Sequence, residues 1–238
     1  MKFVDWFPHY QEIRAEFGYS TEKDQEAANT LSAMITKKNK ALDPKVLEKK
    51  LKGKNVFVIG PGPGLEENVK LLKKNSSFVK IAADSAVEGL LENKIKPDIV
   101  VTDLDGTPAA LAKAAKSAVM VVHAHGDNMD ALKKMVPKFK KLVGTTQVMP
   151  VQNVYNFGGF TDGDRCVFLA EEFGAKKIVL VGMDFGGKNP YKEPRDPDLK
   201  KRKMQAGRRL LEVLARQSRS QLFDTNAKPV RGFAPYTR

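Results

Sequence analysis

From Lys54 onward, short apolar runs rich in β-branched residues alternate with stretches able to hold a helix, and that rhythm leaves few folds open. The runs are Asn55–Ile59, Phe78–Ala82, Ile99–Thr102, Ala118–His123 and Lys177–Val181. They are mostly apolar on both faces, as parallel strands sandwiched between helices should be. Between them, Leu65–Lys74, Ala86–Asn93, Pro108–Lys116, Asn128–Val136 and Asp162–Phe173 can each form a helix. The alternation predicts an α/β fold, a doubly wound and mostly parallel sheet of Rossmann-like type. Val143, Val148, Val151 and Val154 suggest one or two further short strands between Lys141 and Tyr155. A helix carrying Leu210, Leu211, Val213 and Leu214 then runs to about Ser218, and Gln221–Asp224 offers a last strand.

Residues 1–50 read as a helical N-terminal extension to a main domain spanning residues 51–238. Ala27, Ala28, Leu31, Met34 and Ile35 form an apolar stripe at helical spacing within Glu22–Lys38. Asp43-Pro44 supplies a cap and a first-turn proline for a short helix through Lys50. Trp6, Phe7, Tyr10 and Phe17 read as an aromatic face packed on the main domain. No stretch approaches the roughly 18 consecutive apolar residues of a membrane span. The opening residues do not form a signal peptide, and one cysteine excludes an internal disulfide framework, so a cytoplasmic setting is expected. That cysteine, Cys166, precedes Val167, Phe168 and Leu169 and reads as a buried helical thiol.

Charge bears on the choice of partner. The 238-residue chain carries a formal net charge of +13, much of it between Lys188 and Arg219. A lysine-rich solvated surface is the plain account, although such a surplus also attracts polyanions. The chain has no motif that reads DNA or RNA, and its aromatic residues are not interleaved with the basic run, so nucleic acid is not expected as a partner.

The residues suited to chemistry fall at the predicted strand ends. Gly60-Pro61-Gly62-Pro63-Gly64 follows the first strand; it fits neither the dinucleotide fingerprint nor the P-loop, but Gly60, Gly62 and Gly64 can turn the chain tightly toward an anion. Asp84 and Ser85 follow the second strand, and Asp103-Leu104-Asp105-Gly106 the third. The fourth leads into His123-Ala124-His125-Gly126-Asp127-Asn128. Carboxylates on neighbouring strand ends repel one another unless a cation neutralises them. Mg²⁺ takes one or two carboxylates together with substrate phosphates, so Asp103 and Asp105, with Asp127 beside them, are the first choice of ligands. The two histidines also admit a zinc reading, with His123 the more structural of the pair. Thr145, Thr146 and Gln147 bring hydroxyls and an amide able to read the edge of a heterocycle. Gly158 and Gly159 permit a close backbone approach, and Thr161 or Asp162 can cap the helix that follows. Arg165 lies in that helix's first turn, where a cation needs a local partner or an anionic ligand.

Taken in order, these segments resemble the archaeal 6-hydroxymethyl-7,8-dihydropterin pyrophosphokinase family. The resemblance rests on Gly60–Leu65, Ala83–Ala86, Pro97–Gly106, His123–Asn128, Gly144–Gln147, Asn156–Arg165 and Gly182–Phe185, and covers roughly Lys54 to Phe185. Thiamin pyrophosphokinases, related in fold, have acidic strand-end motifs like Ala83-Asp84-Ser85 and Thr102–Gly106. One departure is Ser85, where the family pattern leads us to expect glycine. The resemblance implies Mg²⁺-dependent transfer of the β,γ-diphosphate of ATP to the hydroxymethyl group of a reduced pterin, releasing AMP. In that reading Arg165 and a member of the Lys188–Arg209 set complete a phosphate clamp, while an acid such as Asp127 steers the hydroxyl proton. A thiamin or other alcohol acceptor, a non-catalytic nucleotide-binding role and a homo-oligomeric state stay open.

Overall fold

In the computed structural model, which describes residues 3–236, helices cover a single open sheet. Three helices come first: α1 (Phe3–Phe17), α2 (Thr21–Lys37) and α3 (Lys45–Leu51). The alternating part follows as β1 (Asn55–Ile59), α4 (Gly64–Glu67), α5 (Val69–Lys74), β2 (Val79–Ala83), α6 (Ala86–Glu92), β3 (Ile99–Thr102), α7 (Pro108–Ala114), β4 (Val119–Ala124) and α8 (Met129–Met135). The chain closes with β5 (Val143–Thr146), β6 (Val154–Tyr155), α9 (Asp162–Glu172), β7 (Lys177–Val181), α10 (Pro197–Ala215), β8 (Gln221–Asp224) and β9 (Ala234–Pro235).

Nine strands lie in the order β6-β5-β4-β3-β2-β1-β7-β8-β9. All neighbouring pairs are parallel, with Val56 opposite Val79 of β2 on one side and Ile178 of β7 on the other. The sheet therefore grows outward from β1 to β6 and then reverses, placing β7 on the far side of β1. Loops leaving the carboxyl ends of the strands share one edge, where open α/β sheets bind ligands.

Observed elements shift by a residue or two from those expected, and one helix divides. Asn68 separates α4 from α5 because its side-chain amide donates to the Gly64 carbonyl at 2.8 Å and competes with the helical ladder. The N-terminal helices share the core of the sheet: Trp6, Tyr10, Ala27, Leu31 and Ile35 are buried in the same apolar cluster as Phe57 and Val122. Trp6 meets Phe168 of α9 edge-on, with ring centroids 6.3 Å apart. Cys166 is buried, and burial pushes its thiol well above the ordinary range. Among the described residues, no helix is long and apolar enough to cross a membrane.

Candidate active site

The acidic strand ends meet. At the end of β2 the chain passes through Asp84 at φ +37°, an uncommon conformation for a side-chain-bearing residue, while the Asp84 N–H still donates to the Val101 carbonyl at 2.8 Å. The Thr102 hydroxyl, at the end of β3, donates to Asp84 Oδ1 and accepts the Leu104 N–H at 2.8 Å. Leu104 takes φ +71°, so the chain turns sharply between Asp103 and Asp105. The Asp105 N–H closes the turn on Asp103 Oδ1 at 3.2 Å. One oxygen each from Asp84, Asp103 and Asp105 then lies within 4.8 Å of the others.

These carboxylates differ in environment. Asp84 is buried, and its Oδ2 has no hydrogen-bond partner among the described residues. Burial first, then the charges of Asp103 and Asp105, push its carboxyl well above the usual carboxylate range. Asp103 is shifted the other way, below its ordinary value. Burial would raise it, but the hydrogen bond and charge of His125 prevail, helped by the Asp105 N–H and Lys192. His125 Nε2 stands 3.5 Å from Asp103 Oδ2. Asp105 is exposed, and Lys192 Nζ sits 2.7 Å from its Oδ2 and donates to its backbone carbonyl at 2.7 Å. Asp162, half-buried at the start of α9, is pushed well above its ordinary value by burial and then by the charges of Asp103 and Asp84, with Arg165 opposing.

Other residues expected at the site take different positions. Asp127 stands outside the carboxylate cluster, exposed at the middle of the short 3-10 turn Gly126–Asn128, where its backbone N–H donates to His125 Nδ1 at 3.3 Å. Asp84 supplies the third carboxylate in its stead. His123 is buried, with Nδ1 3.4 Å from the Thr145 hydroxyl, and burial holds its imidazole well below the usual range. The ligand set that converges is all carboxylate, with no imidazole, which leaves the zinc reading without its histidines.

Gly60 and Gly62 face the protein's own chain. A Cβ on either would come within 2.7 Å of the Gly182 carbonyl, because the turn after β1 packs against the end of β7. Gly64 opens α4, its nearest neighbour being Gly182. Ser85 has φ −63°, open to any residue, and the positive φ falls on Asp84 instead; the departure from glycine is therefore accommodated. Gly158 and Gly159 have φ +84° and +87°, and added Cβ atoms would strike Phe168 and Arg165 of α9. Thr161, one of the two expected candidates, is the N-cap of α9, and Asp164 completes a capping box with it. The Asp164 carboxylate accepts the N–H groups of Phe160 and Thr161 at 2.6 and 2.8 Å, and the Thr161 hydroxyl, while Asp162 is the first helical residue.

Gln147 and Arg165 join a buried polar chain that sequence reasoning missed. Arg165 donates to Gln147 Oε1 at 2.9 Å and to the Phe160 carbonyl at 2.8 Å, which supplies the local partners its place near a helix start requires. The Gln147 amide in turn donates to Asp24 Oδ2 at 2.7 Å. Asp24 of α2 also accepts the Tyr10 hydroxyl at 2.9 Å and the Gly126 N–H at 2.8 Å. Thr145 and Thr146 are buried, and with Val101, Val121, Phe157 and Arg165 they line a small cavity between β3–β5 and α9. Nothing in the periodicity of α2 marks Asp24 as special; its only trace in the sequence is an acid beside an otherwise apolar stripe. Lys192, within the basic stretch, carried no mark that set it apart from its neighbours.

Sheet order and strand-end position define a doubly wound α/β protein whose clustered carboxylates form an all-oxygen set that could hold a metal ion. A family model described as 6-hydroxymethylpterin diphosphokinase MptE-like matches residues 32–190. A protein of Pyrococcus furiosus named 6-hydroxymethyl-7,8-dihydropterin pyrophosphokinase is 46% identical over 233 residues, covering 94% of this chain and 99% of its own. Proteins of the same name from Methanocaldococcus jannaschii and Methanothermobacter thermautotrophicus are 43% and 41% identical, over 78% of this chain and 81% and 80% of theirs. A solved MAf glycosyltransferase from Magnetospirillum magneticum shares the fold, with a TM-score of 0.54 at 17% identity over 89% of this chain and 38% of that one. The chain belongs to the MptE-like 6-hydroxymethylpterin diphosphokinase family.

Proposed function

We propose that this protein transfers a diphosphate group from ATP to the hydroxymethyl oxygen of 6-hydroxymethyl-7,8-dihydropterin and releases AMP. The observation that carries the reading is the convergence of Asp84, Asp103 and Asp105, in a chain whose relatives are named for that pterin. Crowded acids with an unpartnered buried oxygen at Asp84 fit a small divalent cation, and an all-oxygen set suits Mg²⁺. Once bound, the ion would neutralise phosphate charge and hold the donor in one orientation.

The chain's own residues do the rest. Thr102 pins Asp84, so that carboxylate is set before any ligand arrives. His125 keeps Asp103 ionised and therefore ready to bind a cation. Asp162 opens α9 within the field of Asp103 and Asp84, and we assign it, instead of Asp127 outside the carboxylate cluster, to take the hydroxyl proton at its carboxylate oxygen once a bound cation has offset its neighbours' charge and left it ionised. The void that Thr145, Thr146 and Phe157 line between β3–β5 and α9 is only about 10 Å³, room for a single water, so the pterin is taken to bind at the strand-end crevice itself. A single buried cysteine accords with a cytoplasmic setting.

Incubation with ATP, Mg²⁺ and the reduced hydroxymethylpterin tests the reaction. Equal amounts of AMP and pterin diphosphate in the quenched mixture, measured by phosphorus NMR, are expected. Stoichiometric ADP with a pterin monophosphate would overturn diphosphate transfer, and preferential turnover of thiamin would overturn the acceptor.

A further inference from the structure

The loop between β7 and α10 lies across the acidic site as a strap. Asp184 fixes its start, accepting the N–H groups of Gly186 and Lys188 at 3.1 and 2.6 Å. Asp196 caps α10 at its end, accepting the Leu199 N–H at 2.9 Å. Between these anchors the strap touches three separate elements. The Asn189 amide donates to the Ser85 hydroxyl at 2.9 Å, and the Tyr191 hydroxyl donates to Glu66 Oε1 at 2.5 Å. The Tyr191 ring packs directly on Gly89 of α6, where any Cβ would collide with it. Lys192 comes next and reaches Asp105 through both its carboxylate and its backbone carbonyl.

Lys192 and Asp105 are both partly exposed, so the ion pair alone adds little. What sets the lysine apart is that it meets the carboxylate and the backbone carbonyl of one residue while its neighbours Asn189 and Tyr191 are tied down. The arrangement holds the backbone of Lys192 at the rim and leaves its four-carbon stem to move. Its ammonium rests on the outermost acid of the trio that would hold the cation of the proposed reaction. A dication drawn to the same acid would repel the ammonium, and the nearest new anion is the polyphosphate carried by that ion.

We infer that Lys192 is a polyphosphate-binding residue that serves as a resident counter-ion while the site is empty, exchanging Asp105 for phosphate oxygens when a metal-bound nucleoside polyphosphate enters. Asn189 and Tyr191 act as positioning residues that keep the strap in place during the exchange. The inference deepens the diphosphate-transfer reading and rests on it only in taking the entering ligand to be a metal-bound polyphosphate.

Because one side chain competes with the bare ion yet assists the ion–nucleotide pair, its removal shifts the two affinities in opposite directions. In the full chain, Lys192→Met should bind Mn²⁺ alone about threefold or more tightly than wild type by electron paramagnetic resonance titration. The same variant should bind a non-hydrolysable ATP analogue with Mg²⁺ about tenfold more weakly by calorimetry. Lys192→Arg should retain most of the analogue affinity, which a loss of packing alone would not allow. Unchanged or weaker Mn²⁺ binding by Lys192→Met overturns the counter-ion role, and undiminished analogue binding overturns the phosphate role. A wild-type protein that binds the analogue but forms no AMP with the pterin sinks the transfer reading, while opposed shifts would still support the inference.

Discussion

The carboxylate of Asp84 fills the space that a side chain on Gly106 would need: a Cβ there would lie 2.7 Å from Asp84 Oδ2. Glycine at this place in the Asp103-Leu104-Asp105-Gly106 run is thus a condition for the three acids to meet, since Thr102 pins Asp84 from the other side. Gly106→Ala introduces no φ conflict, yet it should push the Asp84 carboxylate out of the cluster. We expect the variant to keep its circular dichroism spectrum and to bind Mn²⁺ at least about tenfold more weakly. Titration by electron paramagnetic resonance checks this, with wild-type affinity counting against the arrangement.

Stability should oppose function at Asp84. Its folded-state carboxyl is raised above the ordinary 3.8, by burial and then by Asp103 and Asp105. Below that ordinary value both folded and unfolded states hold the proton; as pH rises through the folded value, the ionised buried group costs stability. Asp84→Asn should therefore raise the melting temperature of the metal-free protein, most at pH 8 and progressively less toward pH 4. Saturating Mg²⁺ should close the gap by stabilising wild type alone. Differential scanning calorimetry across that pH range reads both effects.

Much of this site was legible because strand-end position follows from periodicity. Ile99–Thr102 is an apolar run, so Asp103 and Asp105 had to emerge at a carboxyl end, and the parallel order put Asp84 on the adjacent one. What did not show was direction. Asp127 and Asp84 are each acids just beyond a strand, but Asp84 is buried at a positive φ while the Asp127 side chain is exposed, and no local residue pattern separates the two. The glycines after β1 make the tight turn into a helix that their spacing predicts, but their packing partner, the end of β7, is more than a hundred residues away in sequence and leaves no local trace. Long-range partners also hid Asp24 and Gln147, whose pairing joins an N-terminal helix to the loop after β5.

Substitution can separate the acids by role. Asp103→Asn or Asp105→Asn should lower turnover by at least about 10²-fold with the fold intact, since both carboxylates serve to place charge. Asp127→Asn should stay within about threefold of wild type, as expected for an exposed residue outside the cluster. Asp162→Asn should reduce kcat more than it raises the KM for ATP, and should alter the pH dependence of kcat. AMP release followed across pH distinguishes the set. Near-normal turnover in Asp103→Asn would remove that residue from the site.

The N-terminal helices should matter to the site through Asp24. Its two oxygens accept from Tyr10, Gly126 and Gln147, and Gln147 passes the connection to Arg165. Asp24→Ala would leave the Gly126 N–H and the Gln147 amide without this acceptor, and the Tyr10 hydroxyl with only the long contact to the Thr21 hydroxyl at 3.4 Å. Each unsatisfied group is costly in a low-dielectric interior, so a loss on the order of 3 kcal/mol is expected. Chemical denaturation measures it, with an unchanged slope showing that the same surface unfolds. Gly126 begins the turn that follows His125, and His125 in turn faces Asp103. The variant should therefore also lose catalytic rate under conditions where it is still fully folded. Glutamine at position 147 offers the control: Gln147→Leu breaks the link to Arg165 but spares the Asp24–Gly126 bond, and should harm stability while leaving Mn²⁺ affinity at the acidic cluster near wild type. Equal damage to metal binding from both variants would show that the cluster responds to the core as a whole and not to the Gly126 turn.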